Sequence, residues 1–205
     1  MVIDKSKLRG QYVYLDELRE EHIPALKLLA RDPRLWEYTK SLLVNETFDS
    51  QFERYIQTAL TSNGDSIFSV GLQKTFVIHN TDSNIIGMTR YYGLEEKQKR
   101  VDIGYTWYIP EVWGKVHNKE CKLLLLQYAF EELKLNRVGF HVAHINLRSQ
   151  KAVEKIGGIK EGVLRKHSYQ PDGSIRHTVL YSILDEEWPE VKVRLLKLVA
   201  ETDKD

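Results

Sequence analysis

The stretch from Arg137 to Gly162 constrains this chain more than any other. Val138, Phe140 and Val142 alternate on one face, the period of a strand over 137–143. Asn146 follows, and an asparagine at a helix start accepts hydrogen bonds from the free backbone N–H groups there. Gly157 and Gly158 then offer the left-handed residue on which helices end. Strand, polar cap, short helix, glycine stop and second strand form a scaffold that presents an asparagine side chain to a ligand.

A matching half lies upstream. Residues 101–110 read as a strand that ends at Pro110, since proline donates nothing to a sheet ladder. The turn Glu111-Val-Trp113-Gly114-Lys115-Val116-His117-Asn118 then leads into a helix carrying Leu123-Leu-Leu-Leu126. A helix start carries unpaired N–H groups and the positive end of the helix dipole, which together attract an anion. Asn118 is the expected cap, and Lys115, Lys119 and Lys122 add positive charge where a phosphate would sit.

Taken together, the two halves resemble the coenzyme-binding core of the GNAT acyltransferase superfamily. Within it they are similar to the branch of ribosomal-protein N-terminal (alanine) acetyltransferases. The resemblance spans 8–188, with its discriminating residues inside 102–162. It implies an α/β (α+β) fold with a mixed, mostly antiparallel central sheet and helices on both faces. Two parallel central strands, containing Ile103–Tyr108 and Val138–Val142, would splay to admit a pantetheine arm. The implied donor is acetyl-CoA, with no metal. Trp107, Tyr108, Trp113, Gly114, Lys115, Val116, His117, Asn118, Lys119, Asn146 and Ser149 would hold it. The implied reaction is direct attack by a primary amine, of a protein N-terminus or a small molecule. The chain departs from the common pattern at Val116 and Asn118, where relatives carry small residues. It departs again at Val153, where many carry a tyrosine that protonates the leaving thiolate.

The resemblance makes Ser149 the alternative acid, while the residue's position in the first helical turn fits a cap equally well. Asp102 stands where relatives often carry a carboxylate that takes the amine proton. Alternation alone cannot aim that side chain, so an exposed strand residue is the other reading. Glu154 and Glu161 read as surface or capping charges. Trp36, Tyr38 and Tyr105, with Tyr91 and Tyr92, offer aromatic walls for an amine, and Glu37, Asp82 and Glu95 offer carboxylates. The seven histidines show no zinc-ligand spacing, and Cys121 reads as a small core residue.

The remaining pattern predicts a strand over 12–19, helices over 22–30 and 49–61, and paired strands over 75–79 and 84–93. Strands over 163–169 and 175–184 follow, joined by Pro171-Asp-Gly-Ser174, and then a helix over about 186–200. At 205 residues, a single domain over 1–205 is expected. Thirty Lys and Arg against 29 Asp and Glu give a formal charge of +1, so no global field recruits DNA, RNA or an anionic membrane. One cysteine and no apolar run long enough to span a bilayer fit a cytoplasmic protein, as a monomer or homodimer. Two readings compete with the acetyltransferase. One is a degenerate acyl-CoA-binding sensor or interaction module without turnover; the other is an aminoacyl-transfer enzyme on the same fold.

Overall fold

The computed structural model describes residues 4–39, 42, 44–61, 73–170 and 172–202. The proline of the expected hairpin turn, Pro171, lies outside them. Strand β1 (Val13–Glu17) is followed by helix α1 (Ile23–Leu29), which starts with Pro24 near its N-terminus, where a missing N–H costs nothing. Helix α2 (Phe48–Thr61) carries Phe48, Phe52, Ile56 and Ala59 on its buried face. Then come β2 (Lys74–Asn80), β3 (Ile85–Glu95) and β4 (Arg100–Tyr108), three antiparallel neighbours. Helix α3 (His117–Gln127) continues as a wider π turn through Glu132. The chain closes with β5 (Arg137–Ala143), α4 (Leu147–Lys155), β6 (Ile159–Tyr169), β7 (Ile175–Leu184) and α5 (Trp188–Thr202).

The seven strands make one sheet in the order β1-β2-β3-β4-β5-β7-β6. Among the described residues only β4 and β5 run parallel, and they pair over just three positions, Arg100–Arg137, Val101–Val138 and Asp102–Gly139. Beyond Asp102 the two strands are no longer hydrogen-bonded, so the sheet opens in its middle as the resemblance implied. Helices cover both faces. Leu125, Leu126, Val153, Trp188 and Leu195 join one apolar cluster, from α3, α4 and α5. Leu26, Phe52 and Ile56, from α1 and α2, pack with Val77, Met88 and Trp107 in the other.

A bulge in β4 sets which residues face which layer. Met88 pairs with Trp107 but Arg90 with Gly104, so Tyr105 and Thr106 together oppose Thr89. Tyr105 absorbs the extra residue at φ +50, a conformation costly for a tyrosine. The parity therefore flips. Val101 and Ile103 point into the α3 layer before the bulge, and Tyr108 does so after it, while Trp107 faces α2.

Candidate active site

A cleft of about 700 Å³ lies where β4 and β5 diverge, bounded by the start of α3 and the start of α4. One end of it is built on α3. Val116 is the residue at the helix start, and no side chain caps it. The expectation that Asn118 is the cap is therefore corrected: Asn118 is already the second helical residue. The first intrahelical bond is Glu120 N–H to the Val116 carbonyl at 3.0 Å, so the N–H groups of His117 and Asn118 have no helical acceptor. An uncapped N-terminus leaves these groups for a ligand anion. Gly114, at φ +77, turns the chain into it.

Glu120 explains how the uncapped helix is held. Its carboxylate is buried and accepts the backbone N–H groups of Gln11, Tyr12 and Val13 at 2.8, 2.7 and 2.7 Å. Cation density gathers at the cleft mouth: Lys115, Lys119, Arg148, Lys151 and Lys155 all line it. The Arg148 guanidinium lies 4.0 Å from the Trp113 ring centroid, and Trp113 is itself fixed by an Nε1 hydrogen bond to the Tyr108 carbonyl at 2.7 Å. Lys122 departs from the expected role beside phosphate. It is 6% exposed and donates to Thr106 Oγ1 at 3.1 Å, deep on the strand wall.

Across the cleft, Asn146 caps α4 by accepting the Ser149 N–H at 3.0 Å. It is buried and lines the cleft, and its side-chain NH2 bonds to no described residue. The Ser149 hydroxyl likewise has no partner among the described residues. The helix ends as a Schellman motif, with Gly157 N–H to Glu154 and Gly158 N–H to Val153 at 3.0 and 2.9 Å. Gly157 supplies the required positive φ, +106.

The other end of the cleft is aromatic. Leu35, Trp36, Tyr38, Tyr55, Tyr92 and Tyr105 line it with His141 and Arg176. Trp36 packs edge-on to Trp107 at 5.9 Å and to Tyr55 at 6.0 Å. Asp102 is not among the lining residues. Its carboxylate sits against Gly139, where any Cβ would meet Oδ1 at 2.1 Å, and lies 3.8 Å from His141 Nε2. Burial pushes the Asp102 carboxyl up from the usual range, with His141, Arg137 and Arg100 pulling it back. Burial, then the Asp102 charge, drives the Tyr92 phenol far above its ordinary value. His141 stands between Asp102 and the cleft.

The matching family model, Acetyltransferase (GNAT) domain, covers residues 13–159, which contain both walls of this cleft. The chain belongs to the GNAT acetyltransferase family. It is 37% identical over 108 residues to "Putative ribosomal N-acetyltransferase YdaF" of Bacillus subtilis (strain 168), covering 52% of this chain and 57% of that protein. The alignment thus spans little more than half of that relative. A solved structure described as a "putative acetyltransferase" from T. thermophilus is 33% identical with a TM-score of 0.79, covering 94% of this chain and 96% of the other. A spermidine N-acetyltransferase from Vibrio cholerae, solved with CoA and spermine, shares the fold at 20% identity and TM-score 0.67, covering 86% and 98%.

Set on the GNAT fold, most of the residues singled out from sequence converge. Trp107, Tyr108, Trp113, Gly114, Lys115, Asn118, Lys119, Asn146 and Ser149 line the cleft, as do Trp36, Tyr38 and Tyr105. Val116 and His117 do not line it, and only their backbone stands at the helix mouth. Tyr91 is no wall: it is buried in the α3 layer and donates its hydroxyl to the Leu125 carbonyl. Glu37, Asp82 and Glu95 also lie off the cleft, and Glu95 pairs with Arg100 at 2.5 Å. Glu161 is an exposed charge, as read, and it also ties β5 to β7 by accepting from Arg137 and from Ser182 at 2.8 Å. Glu154 accepts from the Tyr181 hydroxyl at 2.9 Å. Cys121 is a buried free thiol, pushed up by that burial.

Sequence reasoning missed the roles of His141, Glu120 and Arg176. The strand period could have placed His141 on the face opposite Val138 and Val142, but not beside Asp102. Among the described residues Asp16, His22 and His79 bring ligating atoms within 4.8 Å of one another. One of these donors is already engaged: the Arg19 guanidinium holds Asp16 at 2.7 Å, while His22 accepts the Arg19 N–H on Nδ1 at 3.1 Å and turns Nε2 toward Asp16 at 3.9 Å. No helix of the described residues is long and apolar enough to cross a membrane.

Proposed function

We propose that the chain transfers an acetyl group from acetyl-CoA to a primary amine. The observation that carries this reading is the pairing, across one open cleft, of an uncapped helix start with the buried Asn146. The α3 N-terminus and its ring of lysines suit a pyrophosphate, and the free NH2 of Asn146 suits a pantetheine carbonyl. The gap between β4 and β5 leaves strand backbone N–H groups beyond Asp102 without a partner strand, to polarise the thioester carbonyl. The Ser149 hydroxyl, which lines the cleft, is available to hydrogen-bond the departing sulfur.

The amine enters from the aromatic end. It must be neutral to attack, and a free α-amine, with pKa about 7.7–8.0, is partly so near neutral pH. His141, steadied by Asp102, takes the proton that the amine sheds as the amide forms. Alignment of amine and thioester supplies much of the rate, up to roughly 7–11 kcal/mol in favourable systems. The reading treats residues 1–205 as one cytoplasmic domain with α5 in its core. A protein N-terminus is favoured as acceptor, because aromatic walls with Arg176 and His141 suit a single amine on an apolar stem better than a polycation. Likeness to a protein named a ribosomal N-acetyltransferase points the same way.

The test is release of free CoA from acetyl-CoA, assayed against N-terminal peptides, polyamines and aminoglycosides. Thiol release that depends on a peptide amine is expected. Coenzyme binding with no release for any amine would replace the transferase with an acyl-CoA sensor.

A further inference from the structure

Lys122 is a costly residue where it stands. It lies in the second turn of α3, lines the cleft, and is 6% exposed. It pairs with no carboxylate among the described residues. Glu120, two residues away, is committed to the N–H groups of residues 11–13. The ammonium makes one hydrogen bond, to Thr106 Oγ1 at 3.1 Å. Thr106 has nothing more to give: its hydroxyl donates to the Gly104 carbonyl at 3.3 Å and also meets Thr89 Oγ1 at 2.7 Å. Two of the three ammonium hydrogens are therefore left over. A methionine would fill similar space with no charge to desolvate, and burying a cation beside one neutral partner is unfavourable. The cost is recovered only when an anionic or strongly accepting group enters the cleft.

The position says which group that is. Thr106 follows the bulge residue Tyr105, on the part of β4 that has already parted from β5. Lys122 is thus anchored on the inner strand wall, away from the exposed Lys115 and Lys151 at the mouth. Position 153, seven residues after Asn146, holds a buried valine with no proton to offer. Ser149 can donate a hydrogen bond, but a serine hydroxyl is far too weak an acid to supply a net proton to a thiolate.

We infer that the Lys122 ammonium pairs with and protonates the sulfur that leaves when the thioester breaks. The inference rests on the acetyl-CoA reading above. The amine lone pair forms the C–N bond, the C–S bond breaks with its electrons on sulfur, and an Nζ–H proton passes to sulfur to give the free thiol. The amine's surplus proton leaves by His141, and the neutral lysine regains a proton from solvent. Burial lowers the Lys122 amine from its ordinary value, which eases the transfer.

The test titrates the thiol of CoA bound to the intact chain, followed by the ultraviolet absorbance of the thiolate. In wild type the bound thiol should titrate about one unit or more below free CoA, the effect of a close opposite charge. Lys122→Met should return it toward the free value. The variant should also lose roughly a hundredfold in kcat with little change in coenzyme Kd. Identical thiol titrations in the two proteins would overturn the inference. If Lys122→Met does not fold, the wild-type titration decides alone, and a bound thiol at the free value refutes it. Wild type that binds no coenzyme would defeat the transferase reading itself. Binding with an unshifted thiol defeats only the role given to Lys122.

Discussion

Glu120→Gln should destabilise the fold by about 3 kcal/mol, through contacts more than a hundred residues away in sequence. The carboxylate accepts Gln11 N–H on one oxygen and Tyr12 and Val13 N–H on the other. Glutamine keeps one oxygen. If that oxygen keeps Tyr12 and Val13, the new NH2 faces the Gln11 N–H, donor against donor. The change loses one charge-assisted bond, about 1.5–3 kcal/mol, and leaves a donor unsatisfied, about 1–3 kcal/mol. Two further bonds weaken to neutral strength, while the amide is cheaper to desolvate than a carboxylate; these partly offset. For a chain of this size the net corresponds to a fall in Tm of roughly 6–12 °C. Urea denaturation with an unchanged slope is the assay. Gly10 supplies an internal control, because a Cβ there would meet the Glu120 carboxyl carbon at 2.4 Å. Gly10→Ala should be strongly destabilising in wild type and nearly silent in Glu120→Ala, a coupling that a double-mutant cycle reads directly. A loss below about 1 kcal/mol in Glu120→Gln, or additive effects in the cycle, would refute this account.

Three other outcomes follow from the cleft. Asn146→Ala should weaken acetyl-CoA binding by about 1–2 kcal/mol, measured by calorimetry on protein that remains folded; an unchanged Kd removes Asn146 from the coenzyme site. Ser149→Ala should lower kcat roughly tenfold with acetyl-CoA affinity nearly constant, and full activity would return the serine to the helix start alone. Asp102→Asn, which weakens the base His141, should lower kcat/KM most below the amine's own pKa and recover at high pH, where the substrate supplies its own neutral form; a deficit constant with pH would remove Asp102 and His141 from the proton transfer. The same variant tests the direction of the Asp102 shift. A carboxyl raised in the folded state binds more protons folded than unfolded, so wild-type stability falls as pH rises from the usual carboxylate range through the raised value. Asp102→Asn should lack that decline, and unfolding curves at acid and neutral pH check it.

Several elements were legible from residues alone because their causes are local. The strand Arg137–Ala143 and the strand Ile175–Leu184 follow from apolar alternation and turn residues within a few positions. Asn146 and Gly157 begin and end α4 through bonds that span at most five residues. Tertiary structure decided the rest. The expected cap at Asn118 failed because α3 begins two residues earlier, with Val116 at the capping position, braced by a carboxylate whose partners are 107 to 109 residues away. The bulge at Tyr105 shifts the parity of β4, so the alternation that buries Val101 and Ile103 leaves Tyr105 exposed and turns Trp107 toward α2. Asp102 meets His141 across two strands that pair only because the sheet has already formed. Periodicity reports which side of an element is apolar. Which buried polar group meets which partner depends on layer packing and register, and no local pattern of residues encodes that.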